Sequence, residues 1–287
     1  MLDVMDEAIL TAWNSARSGS AALLDGLEKR LSRRGRRPPD EASEARKRSE
    51  AAVRALIGEA FPDHRILSAS EKAESPGLEE NVPVWLVNAL DGVHDYKRGS
   101  PFFSVTVGFA VHDGKALKPL IGVVMAPALM EMFWASLGGG AHYCRQIPGI
   151  GLVEGPIGVS RVARASRAVV KTEINPNLVR ETDELDRQTR LQREVLSFSR
   201  ESSSALNMAY VASGRAECFY SSALNPVTAL PAGLIVTEAG GRVGDYLGRP
   251  YLFNGGWEML AANETLHGRF VELLNGLSKV PGKVALC

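Results

Sequence analysis

The most informative stretch of this sequence runs from Trp85 to Val111 and reads WLVNALDGVHDYKRGSPFFSVTVGFAV. Two apolar runs, rich in β-branched and aromatic residues, flank a polar centre that begins with Asp91 and Gly92. Runs of this composition predict β-strands, and an Asp-Gly pair after an apolar run predicts a turn. Asp91 is therefore expected at the end of a strongly apolar strand.

Before this stretch, apolar residues recur at helical spacing from Met5 to Leu31 and again from Ala42 to Phe61. This period predicts two long amphipathic helices. The basic segment between them, RLSRRGRRPPD, contains Gly35 and two consecutive prolines, which do not continue a helix. It is expected to be an exposed loop.

After Pro62 the sequence changes to short apolar runs separated by turns such as HDGK, which predicts a meander of adjacent strands. The glycine run at 138–140 is expected to end this region, and a connector with one further strand to follow. Helices are expected at 178–194, over ALPAGLIVTEAGG with a glycine pair at its end, and over ETLHGRFVELLNGLSK. This order of elements indicates a layered α+β sandwich rather than an alternating parallel sheet.

Composition limits the classes of function. The 287 residues suffice for a full hydrophobic core, and 33 basic residues balance 33 acidic ones, so no overall field favours nucleic acid or an anionic membrane surface. Cys144, Cys218 and Cys287 form no C-x-x-C pair, which argues against zinc and a disulfide framework. No apolar stretch reaches the roughly 20 residues of a membrane span, and the N-terminal segment lacks a secretory pattern. A cytoplasmic protein without nucleic-acid or membrane partners is expected.

The stretch from Trp85 to Val111 resembles the signature of the inositol monophosphatase family, an apolar strand followed by Asp-Pro-(Ile/Leu)-Asp-Gly-Thr and a Pro-Phe-Phe-like run. Segments similar to later parts of the family follow in the same order: GVVMAPALMEMFWASLGGGAH, NMAYVASGRAECFY, AGLIVTEAGGRVGDYLGRP and LAANETLHGRFVELL. The resemblance implies a layered αβαβα sandwich of the inositol monophosphatase and fructose-1,6-bisphosphatase type. It implies one domain over 1–287, with halves at 1–160 and 161–287.

In this family, magnesium ions held by several carboxylates activate the hydrolytic water. The resemblance places the side-chain ligand positions on Ala69, Asn88, Asp91 and Thr228, with Leu90 as the carbonyl donor. Of these side chains only Asp91 is a carboxylate, and Val93 replaces the threonine that orients the water. Glu71 is the nearest acid to Ala69, and a one-residue shift of the alignment would restore a carboxylate in this turn. No metal or other cofactor is expected.

Asp91 is the candidate catalytic base, because a carboxylate without metals in a partly dry pocket has its charged form disfavoured. His94 and Asp95 are alternative acid–base groups, although each also fits a plain turn residue. The arginines of the basic loop would replace magnesium as counter-charge for an anion. The candidate substrate-binding residues are Arg33, Arg34, Arg36, Arg37, Asn88, Lys97, Ser203, Ser204, Ser221 and Thr228.

Three functional hypotheses follow. The first is a metal-independent enzyme that acts on a small phosphate or sulfate ester by elimination or internal displacement, with Asp91 as base. The second is a catalytically silent member of the family that binds a small anionic ligand or a partner subunit; family members commonly form homodimers. The third is weak phosphatase activity with one magnesium held by Glu71, Asp91 and Asp95.

Overall fold

The computed structural model describes residues 2–32, 41–71, 80–173, 183–250 and 258–276. In these ranges the chain forms two β-sheets and helices arranged in five layers. Two helices cover the outer face of the larger sheet, two lie between the sheets, and two cover the outer face of the smaller sheet. The predicted α+β class and the αβαβα sandwich are confirmed.

The larger sheet has seven strands in the described residues, and their order in space is their order in sequence. The first pairs parallel with the second, and all later neighbours pair antiparallel. This confirms the predicted meander. The strands are β1 (Arg65–Ser68), β2 (Pro83–Asp91), β3 (Ser104–His112), β4 (Leu117–Ala126), β5 (Glu131–Ser136), β6 (Gly140–Ile147) and β7 (Gly151–Ile157).

The prediction that the glycine run at 138–140 ends this region is wrong. Gly138 and Gly140 have φ angles of 75° and 76° and form the turn from β5 into β6, and β7 then extends the sheet by one more strand. Both added strands are half-buried or exposed along most of their length. They escaped prediction because an exposed edge needs no apolar alternation.

The smaller sheet has the spatial order β11-β12-β10-β8-β9 among the described strands. Its strands are β8 (Val169–Glu173), β9 (Ser197–Arg200), β10 (Cys218–Ser221), β11 (Gly241–Gly244) and β12 (Met259–Asn263). Strand β8 runs parallel to β9 and β10, whereas β12 is antiparallel to both of its neighbours. Glu173 and Ser221 are thus register partners at the same ends of two parallel strands.

The helices are α1 (Leu2–Ser32), α2 (Glu41–Ala60), α3 (Val93–Arg98), α4 (Glu184–Glu194), α5 (Ser204–Ala212), α6 (Pro226–Glu238) and α7 (His267–Leu274). The two long N-terminal helices and the apolar C-terminal helix α6 are confirmed, and Gly240 ends α6 with a φ of 83°. Helix α4 begins later than predicted, at Glu184, and 174–182 lie outside the described residues. No described helix is both long and apolar enough to cross a membrane.

Helix α6 carries Pro231 in its interior and is buried along almost its whole length between the two sheets. Pro231 packs directly onto β3 and β4 at Gly108 and Gly122, where an added Cβ would collide with it. These two glycines let the helix approach the larger sheet closely. The close approach fixes the start of α6 beside the end of β2, where the candidate site lies.

Candidate functional site

A polar cavity of about 200 Å³ opens where β1, β2, β8 and the start of α6 meet helix α2. The strands contribute their carboxyl ends, a common location for ligand sites in layered α/β structures. Its polar and charged lining includes Arg46, Glu50, Asn88, Asp91, Glu173 and Thr228. Three of the candidates from sequence, Asn88, Asp91 and Thr228, therefore share one cavity.

Asp91 ends β2 with its side chain turned into the protein, and the residue is only 8% exposed. Its Oδ2 accepts hydrogen bonds from Ser203 Oγ at 2.8 Å and from the Ala205 backbone N–H at 2.9 Å. Gly92 follows with a φ of 88°, and a Cβ there would lie 2.8 Å from the carbonyl oxygen of Phe102. Asp91 and Gly92 thus form the predicted turn, and the side chain of Asp91 is anchored to the start of α5.

Glu173 is a second acid in this cavity and is half-buried, and its Oε2 accepts a hydrogen bond from Ser204 Oγ. Burial raises the pKa of Asp91 to about 6, against the opposing hydrogen bonds from Ala205 and Ser203. Burial also raises the pKa of Glu173 to about 7, and the negative charge of Asp91 adds to this rise. The pair can therefore hold a proton near neutral pH.

Glu173 was missed in the sequence, although one signal pointed to it. It closes the apolar run of β8, whose neighbour β10 is parallel to it. An acid at the carboxyl end of such a strand lies at the edge where ligand sites form. Its partner acid, Asp91, is 82 positions away in the chain, and only the packing of the two sheets around α5 brings them to one cavity.

Asn88 and Thr228 hydrogen-bond to each other across the cavity wall. Asn88 Nδ2 donates to Thr228 Oγ1 at 2.9 Å, and Asn88 Oδ1 accepts from the Leu90 backbone N–H at 3.3 Å. Thr228 lies in the first turn of α6, but the residue that caps this helix is Asn225, whose Oδ1 accepts from the Val227 N–H at 2.9 Å. Thr228 therefore does not cap α6.

On the α2 side of the cavity, Glu50 accepts hydrogen bonds from Ser70 Oγ at 2.9 Å and from Arg54 Nε at 3.0 Å. Burial tends to raise the pKa of Glu50, but hydrogen bonds from Ser68, Ser70 and Arg54 outweigh it and lower that pKa. Arg54 Nη2 also binds Glu71 Oε1 at 2.6 Å. Glu71 is not among the cavity-lining residues, so the structure does not bring it to Asp91.

The other candidates near the Asp-Gly turn lie on α3 and do not line the cavity. Asp95 accepts from the backbone N–H of Ser202 at 2.8 Å and from its Oγ at 2.6 Å, which ties α3 to the segment before α5. His94 and Lys97 are exposed on the surface of the helix. The structure therefore separates these three residues from the cavity.

Ser203 and Ser204 lie at the start of α5, and their hydroxyl groups donate to Asp91 and Glu173. Ser221 ends β10, where its Oγ accepts from the Ala223 backbone N–H at 3.3 Å, and it does not line the cavity. Arg33, Arg34, Arg36 and Arg37 lie outside the described residues. In the described part of the chain the cation that lines the cavity is Arg46.

The oxygen donors of the cavity include the carboxylates of Glu50, Asp91 and Glu173. Each accepts hydrogen bonds from groups within the chain. Across the residues that the structure describes, no three His, Cys, Asp or Glu side chains form a group that could hold a metal ion. The arrangement provides a pair of acids, Asp91 buried and Glu173 half-buried, each held by hydroxyl or amide donors from one helix N-terminus.

Comparisons with known proteins identify the family of this chain. The family model described as the inositol monophosphatase family matches residues 5–279. The chain is similar to "Inositol monophosphatase 2" of Solanum lycopersicum, 30% identical over 278 residues that cover 94% of this chain and 99% of the relative. It is similar to "Nus factor SuhB" of Xylella fastidiosa, 30% identical over 73% of this chain and 70% of the relative.

Among solved structures, the inositol monophosphatase of Anabaena sp. PCC 7120 superposes with a TM-score of 0.75 at 25% identity, covering 93% of this chain and 95% of that one. The same elements thus occur in the same order over nearly the whole length. The chain belongs to the inositol monophosphatase family.

Proposed function

We propose that the chain binds a small phosphate or sulfate ester in this cavity and transforms it by acid–base chemistry, without the two-magnesium reaction. The observation that carries the proposal is the acid pair itself. Asp91 and Glu173 line one cavity, are anchored by Ser203 and Ser204, and have pKa values raised to about 6 and about 7. Groups that titrate near neutral pH are suited to general acid and base catalysis.

The four ligand positions implied by the family resemblance do not fit a two-magnesium centre, and the described acids of the cavity form no group of three that could hold a metal ion. Magnesium requires near-octahedral oxygen coordination and is usually held by carboxylates and phosphate oxygens. Of the four side-chain ligand positions from the family resemblance, Ala69 has no donor, and Asn88 and Thr228 offer a neutral amide and a hydroxyl that bind each other. Asp91 supplies one carboxylate, whose Oδ2 already accepts two hydrogen bonds. No step is therefore assigned to magnesium.

The acid pair suits an elimination. Asp91, as the carboxylate, takes a proton from the carbon next to the one that bears the ester oxygen, and a C=C bond forms as the C–O bond breaks. Phosphate or sulfate leaves with the electron pair of that bond. Glu173, which is protonated below a pH of about 7, donates its proton to the leaving oxygen. Arg46 lines the same cavity and supplies positive charge toward the anion.

A second candidate is a silent family member that uses the cavity for binding alone. It is favoured by the fact that Glu50, Asp91 and Glu173 each already accept hydrogen bonds from the chain, as structural acids do. A homodimer or a partner subunit stays a prediction from the family resemblance. A cytoplasmic location of the protein also stays a prediction, and the free thiols of Cys144 and Cys218 support it.

The test is release of phosphate or sulfate from a panel of small esters in the presence of EDTA. We expect turnover by the wild type, loss of turnover in Asp91→Asn and in Glu173→Gln, and full turnover in Asp63→Asn, which removes an exposed acid outside the cavity. Circular dichroism confirms that each variant is folded. Turnover that survives in Asp91→Asn would exclude Asp91 as the base. Binding of an ester without any turnover would select the silent candidate.

A further inference from the structure

A second described cavity, of about 340 Å³, lies between α1 and the strands β4 to β7, and it shares no lining residue with the acid cavity. Its lining contains four sulfur atoms, from Met125, Met130, Met132 and Cys144. The chain has seven methionines and three cysteines in all. Four of these ten sulfur-bearing residues thus surround one cavity.

Three of the sulfur-bearing residues form a row across the sheet. Met125 on β4 is the register partner of Met132 on β5, and Met132 is the register partner of Cys144 on β6. Directly opposed residues of antiparallel strands point to the same face, with Cβ atoms about 4.5–5.5 Å apart. Met132 is thus the middle residue of the row, and the flexible unbranched side chains of both methionines can bring their sulfur atoms toward the Cys144 thiol at its end.

Met130 reaches the same cavity from the short turn between β4 and β5. Its φ angle is 55°, in the left-handed region that non-glycine residues seldom occupy. Met130 is also 40% exposed, so it lies at the rim rather than in the interior. The cavity therefore has a sulfur-lined floor across three strands and a further sulfur-bearing side chain at its entrance.

We propose that Cys144, Met132 and Met125 bind a soft monovalent metal ion, Cu(I), with Met130 at the entrance. Thiolate and thioether sulfur atoms are the ligands that select Cu(I) over the hard ions bound by carboxylates. Cu(I) would replace the thiol proton of Cys144, and that proton would pass to water. Burial raises the pKa of the Cys144 thiol; Arg17, which lines the cavity, opposes this rise, and Glu154, the partner of Cys144 on β7, adds to it.

The test is competition for Cu(I) between the reduced protein and the chelator bathocuproine disulfonate. We expect the wild type to take one Cu(I) per chain and Cys144→Ser to lose affinity by roughly tenfold or more, since even changes outside the ligand set cost about 10–100-fold in metal sites. Cys218→Ser should bind like the wild type, because Cys218 is fully buried in the smaller sheet and does not line this cavity.

Met132→Leu keeps the volume and apolar character of the side chain and removes only the sulfur, so it tests the site without opening a cavity. We expect it also to lower Cu(I) affinity by roughly tenfold, with unchanged circular dichroism. X-ray absorption of the Cu(I) protein should show sulfur ligands alone. Wild type that cannot compete with the chelator, Cys144→Ser that binds as tightly as the wild type, or a ligand shell of nitrogen and oxygen would each overturn the proposal.

Discussion

Asn88 Nδ2 donates a hydrogen bond to Thr228 Oγ1 over 2.9 Å and joins the last residues of β2 to the first turn of α6. Two carboxylates placed there would repel each other unless a cation lay between them. A neutral amide and a hydroxyl instead satisfy each other directly, as buried polar groups must. The contact closes one wall of the cavity by hydrogen bonding within the chain.

Placing carboxylates at the ligand positions implied by the family resemblance should create magnesium binding. In the triple variant Ala69→Glu, Asn88→Asp and Thr228→Asp, four acids including Asp91 would meet at the cavity, and we expect a lower melting temperature without metal because like charges repel. Magnesium at millimolar concentration should raise that temperature by mass action on the folded state. Differential scanning calorimetry with and without magnesium measures this, and a triple variant that does not respond to magnesium would show that the cavity shape is also unsuitable.

The acid pair should make stability fall as the pH rises toward neutral. Glu173 has a folded-state pKa of about 7 against 4.5 for the free side chain, so its stabilising protonated form is fully present below about pH 4.5 and is lost as the pH passes about 7. Glu173→Gln removes this pH-dependent contribution. The decrease in the free energy of unfolding between pH 5 and pH 8 should therefore be smaller by on the order of 2 kcal/mol. Urea unfolding at a series of pH values measures the free energy.

The control for this prediction is Glu59→Gln, which changes an exposed acid on α2. It should leave the slope of stability against pH as it is in the wild type. A wild-type protein whose stability rises steadily from pH 5 to pH 8, with the same slope in Glu173→Gln, would contradict the raised pKa of Glu173.

Ser203 couples the buried acid to the start of α5. Its Oγ donates to Asp91 at 2.8 Å and accepts from the Leu206 backbone N–H at 3.3 Å, so one hydroxyl caps the helix and anchors the acid. Ser203→Ala should lower the free energy of unfolding by about 1–2 kcal/mol. Ser213→Ala, at the other end of the same helix, should cost much less in the same urea titration. Equal losses in both variants would argue against the capping role.

Gly122 allows α6 to lie against β4. A Cβ at this position would collide with the backbone of Pro231, which side-chain rotation cannot relieve. Gly122→Ala should therefore lower stability by about 2–3 kcal/mol or more. Gly58→Ala, where a Cβ would meet nothing within 4 Å on α2, should instead raise stability by about 0.5–1 kcal/mol. Thermal unfolding of the two variants gives the comparison, and a Gly122→Ala protein as stable as the wild type would refute the close packing.

The sequence predicted α1 and α2 from apolar residues at helical spacing, α6 from an apolar run that ends in a glycine pair, and the meander around Asp91 from apolar runs separated by turns. Strands β6 and β7 were missed because they lie at an edge, where few positions are buried. Asp91 was found because its signature is local. Glu173 and Arg46 were missed because each reaches the cavity from an element far away in the chain, and only packing between α2, β2 and β8 brings them together.

Three of the sequence candidates do not line the cavity, although they lie close to Asp91 in the chain. His94, Asp95 and Lys97 follow Asp91 closely in sequence, but α3 begins at Val93 and directs them along its own surface or toward Ser202. Proximity in sequence after a tight turn does not predict proximity in space. Asn88 and Thr228, by contrast, lie 140 positions apart and are in direct contact.

Isothermal titration of the wild-type protein with magnesium chloride shows whether the cavity binds magnesium. We expect no saturable heat up to several millimolar magnesium, with or without inorganic phosphate in the cell, because Asp91 is the one carboxylate at the four ligand positions implied by the family resemblance. Saturable binding of one or two magnesium ions that is lost in Asp91→Asn would contradict this expectation.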